Sequence, residues 1–355
     1  MITVDNLLYK LYEKNDLSRE ELLYILYNIN QDSKKKLFYY ACKVRDAYYG
    51  NKVYVRGLIE FSNICKMDCL YCGIRSSNKN ALRYRLTKEE ILNCCIEGYN
   101  LGYRTFVLQS GEDPWYTEDR MVDIIKTIKN RFPDVAITLS IGERDKQEYK
   151  SFFEAGADRY LLRHETASRK LYGKLHPHAS FDNRINCLKV LKEIGYQVGA
   201  GFMVGLPDQN HEDLVEDLIF LKSLNPHMIG IGPFIPHSQT PLADAKGGTV
   251  EDTLVMIALT RLMVPDALLP ATTAMGTLHP KGRELALQAG ANVVMPNISP
   301  TSVRPKYELY EIKICIEDNS AHCRFCIENR IKSIGMVLDT SRGDHCKYWK
   351  AKECN

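Results

Sequence analysis

Apolar residues in about the first 48 positions of the chain recur at the spacing of an α-helix, with charged residues between them. This pattern predicts short amphipathic helices that precede the main fold. Their apolar positions are Leu7, Leu8, Leu11, Leu22, Leu23, Leu26, Leu37, Tyr40 and Ala41.

The pattern changes at about residue 53, where short β-branched or apolar runs begin to alternate with helical patterns. This alternation is typical of βα units and a parallel sheet. Eight such units with no glycine-rich linker between them favour a closed (β/α)8 barrel of the TIM type over an open sheet. The eight predicted strands are 53–61, 104–109, 135–140, 158–163, 196–204, 228–232, 268–273 and 292–296.

We therefore predict three parts of the chain, in an α/β fold. Residues 1–49 form an N-terminal helical extension, and residues 50–297 form the barrel. Residues 298–355 form a C-terminal tail over the barrel mouth, irregular at first and helical around 321–335.

Composition argues against two classes of partner. The formal net charge is only +3, and no basic run is longer than Lys34 to Lys36, so nucleic acid is a poor partner. The longest apolar stretches are about nine residues, too short for a membrane span. Charged residues also interrupt any signal-peptide core near the N-terminus. The sequence thus predicts a cytoplasmic protein with no membrane partner.

Twelve cysteines are many for such a protein, and in a reducing compartment they favour metal binding over disulfides. Cys65, Cys69 and Cys72 form a C-x3-C-x2-C loop directly after the first predicted strand. Three thiolates can hold three corners of a 4Fe-4S cube and leave one iron open to a substrate amine and carboxylate. S-adenosylmethionine (SAM) is such a substrate, and its reductive cleavage gives a 5'-deoxyadenosyl radical. Zinc is the alternative, but structural zinc takes four ligands and no nearby histidine completes the set.

This loop, with the aromatic Tyr71 before its third cysteine, resembles the loop of the radical SAM superfamily. Over about residues 50–326 the resemblance narrows to the HydE family, the radical SAM maturases of [FeFe] hydrogenases. The segments that carry it are 61–65 (FSNIC), 108–114 (LQSGEDP), 162–166 (LRHET), 199–207 (GAGFMVGLP), 230–237 (GIGPFIPH) and 270–276 (PATTAMG).

The resemblance implies an enzyme that acts on a small organometallic substrate, a cysteine-bound iron carbonyl cyanide complex, during assembly of the hydrogenase H-cluster. A companion G-type maturase would supply the substrate, an F-type scaffold would accept the product, and a ferredoxin or flavodoxin would donate electrons. Biotin synthase and methylornithine synthase are alternatives on the same fold. A non-catalytic iron-sulfur scaffold or electron carrier is an alternative of a different class.

The resemblance also implies which residues hold SAM. Gln109, Ser110, Gly111 and Glu112 end the second predicted strand, where the family binds the methionine amine, and a solvated rim turn is the structural alternative.

Glu165 is implied to bind the ribose or amino-acid end of SAM, with a strand-end ion-pair network as its structural alternative. Arg184 lies in the first turn of a predicted helix, where a cation opposes the helix dipole and needs compensation, and it is implied to bind the carboxylate.

Met203 is expected to lie against the adenosine, and Tyr71 is expected to contact the cofactor. For Met228 and Ile231 core packing is the first interpretation and contact with the adenine the second. Thr273 and Tyr310 are implied to border the substrate cavity, although a tail tyrosine often serves only as an apolar plug.

A second cysteine triplet, Cys315, Cys323 and Cys326, lies in the tail and is predicted to hold an accessory 2Fe-2S or 4Fe-4S cluster. Zinc with His322 or Cys346 as the fourth ligand is the alternative. Neither Cys346 nor Cys354 has a role that the sequence explains.

Overall fold

Six parallel strands form the central sheet, and their order in space follows their order in the chain. The computed structural model describes residues 2–314 and 320–348. Helices alternate with the strands, as the sequence pattern predicts. The strands of this sheet are β2 (Gly57–Ser62), β3 (Thr105–Ser110), β4 (Ala136–Ser140), β5 (Arg159–Leu161), β6 (Gln197–Val204) and β7 (Met228–Pro233).

Short contacts close this sheet into a barrel. Residues 268–270 occupy the seventh strand position, and the chain around residue 293 occupies the eighth, next to the first strand. The predicted TIM-type barrel is therefore confirmed, with its last two strand positions reduced to brief pairings. The closing elements are β1 (Lys52–Val55), which pairs with β8 (Val293–Val294), and the bridges Met228–Leu268, Pro270–Val293 and Leu58–Asn297.

Helices surround the barrel and precede it. Most of their first turns are capped by side chains. At the start of α4, for example, the Thr87 hydroxyl accepts from the backbone N–H of Glu90, and the Glu90 carboxylate accepts from the Thr87 N–H. The helices are α1 (Val4–Lys14), α2 (Arg19–Asn28), α3 (Gln31–Tyr49), α4 (Lys88–Asn100), α5 (Glu118–Arg131), α6 (Lys146–Ala155), α7 (Arg169–Leu175), α8 (Phe181–Ile194), α9 (His211–Leu224), α10 (Val250–Met263), α11 (Thr273–Leu278), α12 (Gly282–Gln288) and α13 (Ser320–Ser333), with a 3-10 helix at Arg304–Lys306.

Three strand predictions are wrong in extent. The predicted strand 158–163 shortens to the three residues of β5. The predicted strand 268–273 makes only isolated bridges, and its last residue, Thr273, begins α11 instead. Pro270 explains the weak pairing because proline has no N–H to donate to a neighbouring strand. The predicted strand 292–296 shortens to two residues.

The tail covers both ends of the barrel rather than the mouth alone. Near the mouth, Lys313 pairs with the buried Glu60 at 2.5 Å. Past α13, β9 (Val337–Asp339) adds in parallel to β1, and Asp344 then pairs with Arg159 at the start of β5. The C-terminal segment therefore closes the base of the barrel, which the sequence did not predict. No helix among the described residues is both long and apolar enough to span a membrane.

Candidate functional site

The three-cysteine loop follows β2, at the end of the barrel where the strands finish. It is held on two sides. The backbone N–H of Glu112 donates to Cys65 Sγ at 3.3 Å, and the N–H of Leu70 donates to the carbonyl of Leu175 at 2.9 Å. Active sites of such barrels form at this carboxyl end, so the fold places the loop where ligands bind.

The three thiols lie close enough to influence one another's ionisation. Burial raises the pKa of Cys65, and burial together with the Cys65 charge raises the pKa of Cys69 to about 12. Burial and then the charges of Cys69 and Cys65 raise the pKa of Cys72 well above its usual value. Neighbouring half-buried thiols are costly to ionise without a compensating cation, and thiolates are the ligands of iron-sulfur clusters. The donor set therefore fits a 4Fe-4S cluster held by three cysteines.

Tyr71, between the second and third cysteines, is fixed by a histidine that the sequence did not single out. His176 Nδ1 lies 2.9 Å from the carbonyl of Tyr172 and so must carry the proton. His176 Nε2 then accepts from the Tyr71 hydroxyl at 2.9 Å. Burial lowers the pKa of His176 to about 4, so this ring is neutral near pH 7. This hydrogen bond therefore fixes the position of the Tyr71 ring beside the cysteines.

The end of β3 lies against the cysteine loop. A side chain at Gly111 would place its Cβ 2.3 Å from the carbonyl oxygen of Ile64 and 2.7 Å from Cys65 Cβ, so only glycine fits there. Ser110 Oγ is used within its own turn, donating to the Gly111 carbonyl at 2.6 Å. Gln109 Nε2 donates to the Tyr307 hydroxyl at 3.2 Å, which ties the strand end to the tail.

Arg184 is buried on the first turn of α8 and is surrounded by acceptors. Its Nε donates to Glu143 Oε1 at 2.6 Å, and its Nη2 lies 3.9 Å from Glu112 Oε1. Although burial alone would lower the pKa of Arg184, Tyr172, Glu143 and Glu112 raise it above its usual value. The guanidinium therefore stays charged. Its Nη1 donates to the carbonyl of Arg163 at 3.1 Å, so Nη2 is the nitrogen that can turn to an anionic ligand.

Glu143 is a site residue that sequence reasoning missed. The backbone N–H of Glu143 donates to Glu112 Oε1 at 3.0 Å, so the two carboxylates frame Arg184 together. The preceding Gly142 has a φ of 77°, and a Cβ there would lie 2.0 Å from the Glu112 side chain. The available signal was its place just after the predicted strand 135–140, where barrel residues commonly act on ligands.

Glu165 continues the line of β5 at the same end of the barrel. Arg163 Nη2 lies 3.3 Å from Glu165 Oε2, and that oxygen has no hydrogen-bond partner within the described chain. Glu165 also raises, and Arg184 lowers, the pKa of Cys69, which shows that both charges are near the cysteine loop. Met203 packs in a cluster that includes Tyr71.

The remaining two residues predicted to contact the cofactor, Met228 and Ile231, lie apart from the site described above. Met228 is the first residue of β7, at the opposite end of the barrel from the cysteine loop, and packs there with Tyr49 and Tyr54. Ile231 packs in the main hydrophobic core between sheet and helices. The structure thus does not bring Met228 to the other predicted cofactor residues.

The two predicted substrate residues lie near the mouth. Thr273 Oγ1 is 3.5 Å from Arg283 Nη2, and Tyr310 is half-buried in the tail. Burial and then Glu60 raise the pKa of Tyr310, which keeps its hydroxyl protonated at neutral pH.

The barrel interior contains polar groups without partners. The Nε atoms of two arginines and two threonine hydroxyls are buried and make no hydrogen bond within the described chain; they belong to Arg56, Arg163, Thr138 and Thr272. Buried donors without partners are costly unless a ligand or water satisfies them. The interior is therefore suited to a polar ligand.

The tail cysteines are only partly visible. Cys315 lies outside the described residues, Cys323 is buried in α13 and Cys326 is exposed. Cys346, offered as a fourth zinc ligand, lies instead near Asp266 and His345 at the barrel base. Lys347 already pairs with Asp266 at 2.9 Å, so the geometry is that of a charged anchor for the chain end.

Comparison with known proteins identifies the same superfamily that the cysteine loop resembles. The sequence profile of the radical SAM superfamily matches residues 59–221, which include the cysteine loop, Glu112, Glu165 and Arg184. Together with the parallel barrel, this match defines the chain as a radical SAM enzyme.

Comparison with individual relatives identifies the family within this superfamily. The [FeFe] hydrogenase maturase subunit HydE of Thermotoga maritima is 50% identical over 334 residues, or 94% of this chain and 95% of that protein. The 3-methylornithine synthase of Methanosarcina acetivorans is 35% identical over 256 residues, 72% of each chain. The chain therefore belongs to the HydE family of radical SAM maturases.

Solved structures share the same architecture. The crystal structure of methylornithine synthase (PylB) matches with a TM-score of 0.84 at 30% identity, covering 97% of this chain and 99% of that one. The structure of HydG, a maturase of the [FeFe]-hydrogenase, matches with a TM-score of 0.82 at 20% identity, covering 99% and 80% respectively. The second likeness supports the fold alone.

Proposed function

We propose that this chain cleaves SAM reductively and uses the resulting radical on an organometallic precursor of the [FeFe]-hydrogenase H-cluster. The observation that carries the proposal is the convergence of the cysteine loop, Glu112, Glu165 and Arg184 at one end of a closed barrel. The near full-length similarity to a hydrogenase maturase supports the same conclusion.

Different residues of the site bind different parts of SAM. When bound, the 4Fe-4S cluster supplies the electron and the open iron for the cleavage of SAM. Arg184 takes the SAM carboxylate through Nη2, because the guanidinium is buried and permanently charged and only its Nε and Nη1 donate to groups of the chain. The turn of Ser110, Gly111 and Glu112 takes the amine, and Glu165 takes the ribose or amino-acid end. The adenine lies against Tyr71 and Met203, which pack together.

The substrate chamber is the barrel interior below this site. Its closed wall excludes water, which protects a reactive radical from side reactions. Thr273 and Tyr310 border the chamber from the mouth, and Arg163 and Thr272 offer unpartnered donors to a polar substrate. A cysteine-bound iron carbonyl cyanide complex has the anionic and hydrogen-bonding groups that these donors can satisfy.

We assign the wider setting from the same resemblance. A G-type maturase supplies the substrate, an F-type scaffold accepts the product, and a ferredoxin or flavodoxin reduces the cluster in the cytoplasm. The tail triplet, Cys315, Cys323 and Cys326, holds a second, accessory iron-sulfur cluster.

An in vitro maturation assay tests this proposal. Apo-hydrogenase, the two companion maturases, SAM and reductant are incubated anaerobically with and without this chain, and hydrogen evolution is measured. We expect activity only when the chain is present, with 5'-deoxyadenosine formed from SAM.

Methylornithine synthesis is the second candidate, because the PylB fold and the 35% identical synthase match so much of the chain. The same protein is therefore incubated with SAM and lysine, and the products are analysed by mass spectrometry. Formation of 3-methylornithine without hydrogenase activation would replace the proposed substrate with lysine.

A further inference from the structure

Glu165 has an unusual backbone conformation. Its φ of 66° lies in the left-handed region, which costs free energy for any residue with a Cβ. Asn15 and Asn225 also adopt positive φ, but they do so as helix caps, where this conformation is common. Glu165 is not a cap, so its surroundings must hold it.

Backbone hydrogen bonds hold Glu165 itself against β6. Its N–H donates to the carbonyl of Gly201, and its carbonyl accepts from the N–H of Met203, both at 3.0 Å. These bonds fix the distance of Glu165 from β6. They leave the turn on either side of it to be fixed by other groups.

His164 fixes the preceding residue. Its Nδ1 accepts from the Gly201 N–H at 3.3 Å, so the proton of the neutral ring is on Nε2. Nε2 donates to Asp217 Oδ1 at 3.1 Å, and the ring packs 4.6 Å from that of Phe220. Burial, followed by the charges of Arg163 and Arg184, lowers the pKa of His164 to about 3, which keeps the ring in this neutral form.

Asp217 on α9 fixes the residues that follow. Its Oδ1 also accepts from the backbone N–H of Ala167 at 2.6 Å. One carboxylate oxygen therefore binds both sides of the turn that contains Glu165. His164 and Asp217 are both fully buried, and neither side chain contacts the cysteine loop in any hydrogen bond described above.

We propose that His164 and Asp217 are positioning residues for SAM, which hold residues 164–167 so that the carboxylate of Glu165 points into the cofactor site. The inference rests on the proposed role of Glu165 in binding SAM. Neither residue touches the cofactor or takes part in proton transfer. Removing the acceptor at position 217 releases the turn and lets Glu165 relax from its left-handed conformation.

The test measures SAM binding to the reconstituted enzyme in a set of variants. Asp217→Leu removes the acceptor at similar volume, and we expect the Kd of SAM to rise about tenfold. At saturating SAM the rate of 5'-deoxyadenosine formation returns to within about threefold of the wild type, because the chemistry itself is unchanged. Asp217→Asn keeps an oxygen acceptor, and the Kd stays within about threefold of the wild type.

One control and one further test variant separate positioning from general destabilisation. Leu221→Ala removes a fully buried side chain from the same helix, one turn further on, and lowers the melting temperature without changing the Kd. His164→Phe keeps the ring beside Phe220 but loses both hydrogen bonds, and it weakens SAM binding as Asp217→Leu does. This variant provides the same test if Asp217→Leu does not fold.

Equal loss of SAM affinity in Asp217→Leu and Leu221→Ala would overturn the inference, since the effect would then be one of stability. An unchanged Kd in Asp217→Leu and His164→Phe, with a raised Kd in Glu165→Gln, would also overturn it and leave the proposed function standing. An unchanged Kd in Glu165→Gln would overturn both the inference and the proposed role of Glu165.

Discussion

The two ends of the barrel differ in how completely their buried polar groups are paired within the chain. At the base, Arg159 pairs with Asp344 at 2.6 Å, and Arg342 pairs with Asp344 at 2.9 Å and with Asp158 at 2.7 Å. These four charged side chains are paired with one another within the chain. The network joins the C-terminal segment to the first residues of the strands.

At the mouth, by contrast, several polar atoms have no hydrogen-bond partner within the described chain. Glu165 Oε2, Arg163 Nε, Thr272 Oγ1 and the Tyr172 hydroxyl are buried without a hydrogen bond within the described chain. Three thiols converge beside them with raised pKa values. Buried polar groups without partners cost free energy of folding, and they are common in binding sites. We therefore expect changes at the base to affect the stability of the barrel and changes at the mouth to affect ligand binding.

The largest expected effect is at the cysteine loop. Cys69→Ala removes one of the three cluster ligands, and we expect 5'-deoxyadenosine formation to fall to the uncatalysed background. The assay is chromatography of the products after dithionite reduction with SAM. Cys326→Ala is the matched control, because it removes an exposed tail cysteine and should leave most of the cleavage. The reverse result would exchange the roles of the two triplets.

Arg184 should give the next largest effect. Arg184→Met removes a buried cation from the proposed carboxylate site, and we expect SAM to bind about 100-fold more weakly. The pKa of Arg184 is raised, so this loss should be the same throughout the neutral pH range. Isothermal titration of the cluster-loaded protein measures it. Glu143→Gln only loosens the orientation of Arg184 and should cost about fivefold; an equal loss in both would contradict the proposed contact.

A change at the base should affect stability and not binding. Asp344→Asn leaves Arg159 without its buried partner, and we expect a loss of about 3 kcal/mol in unfolding free energy. Although burial opposes it, Arg159 and Arg342 hold the pKa of Asp344 below its usual value in the folded state. Its contribution is therefore present above pH 4 or so and is lost as the pH falls below about that value.

Urea unfolding at several pH values checks this expectation, with the Kd of SAM as the second measurement. A weakened affinity for SAM in Asp344→Asn would show that the two ends of the barrel are not independent.

The smallest effect should come from His176. His176→Phe removes the acceptor of the Tyr71 hydroxyl, and we expect a loss of about 1 kcal/mol in unfolding free energy at pH 7. In the wild type, burial lowers the pKa of His176 to about 4. Its stabilising contribution is complete above the ordinary histidine value, near pH 6.5, and declines as the pH falls from there to about 4. The stability of the variant should decline less steeply over that range. Parallel curves would contradict a lowered pKa of His176 in the folded protein.

Local patterns predicted what depends on neighbours in sequence. The cysteine loop, the turn at Gly111 and the alternation of strands and helices are each contained in short stretches of the chain. The place of Glu165 after a predicted strand and of Arg184 in the first turn of a predicted helix was enough to predict that both lie at the same mouth. Strand lengths were less predictable, since Pro270 weakens pairing that the apolar pattern alone would allow.

Tertiary contacts could not be predicted in the same way. His176 and Asp217 act through bonds to residues that are distant in sequence, and no spacing indicates them. The anchor at Asp344 depends on β9, a strand of three residues with an exposed Val337 and no clear alternation. Met228 lies on a predicted strand, but it is the first residue of that strand and so lies at the base, away from the cofactor site. Placing a residue on a strand is therefore not enough to place its side chain near the mouth.

The most direct test of the account is electron paramagnetic resonance of the anaerobically reconstituted Cys326→Ala protein, reduced with dithionite and measured with and without SAM. The account predicts a reduced 4Fe-4S signal from the site of Cys65, Cys69 and Cys72 that changes when SAM binds. A signal from that site that stays the same at saturating SAM would contradict it.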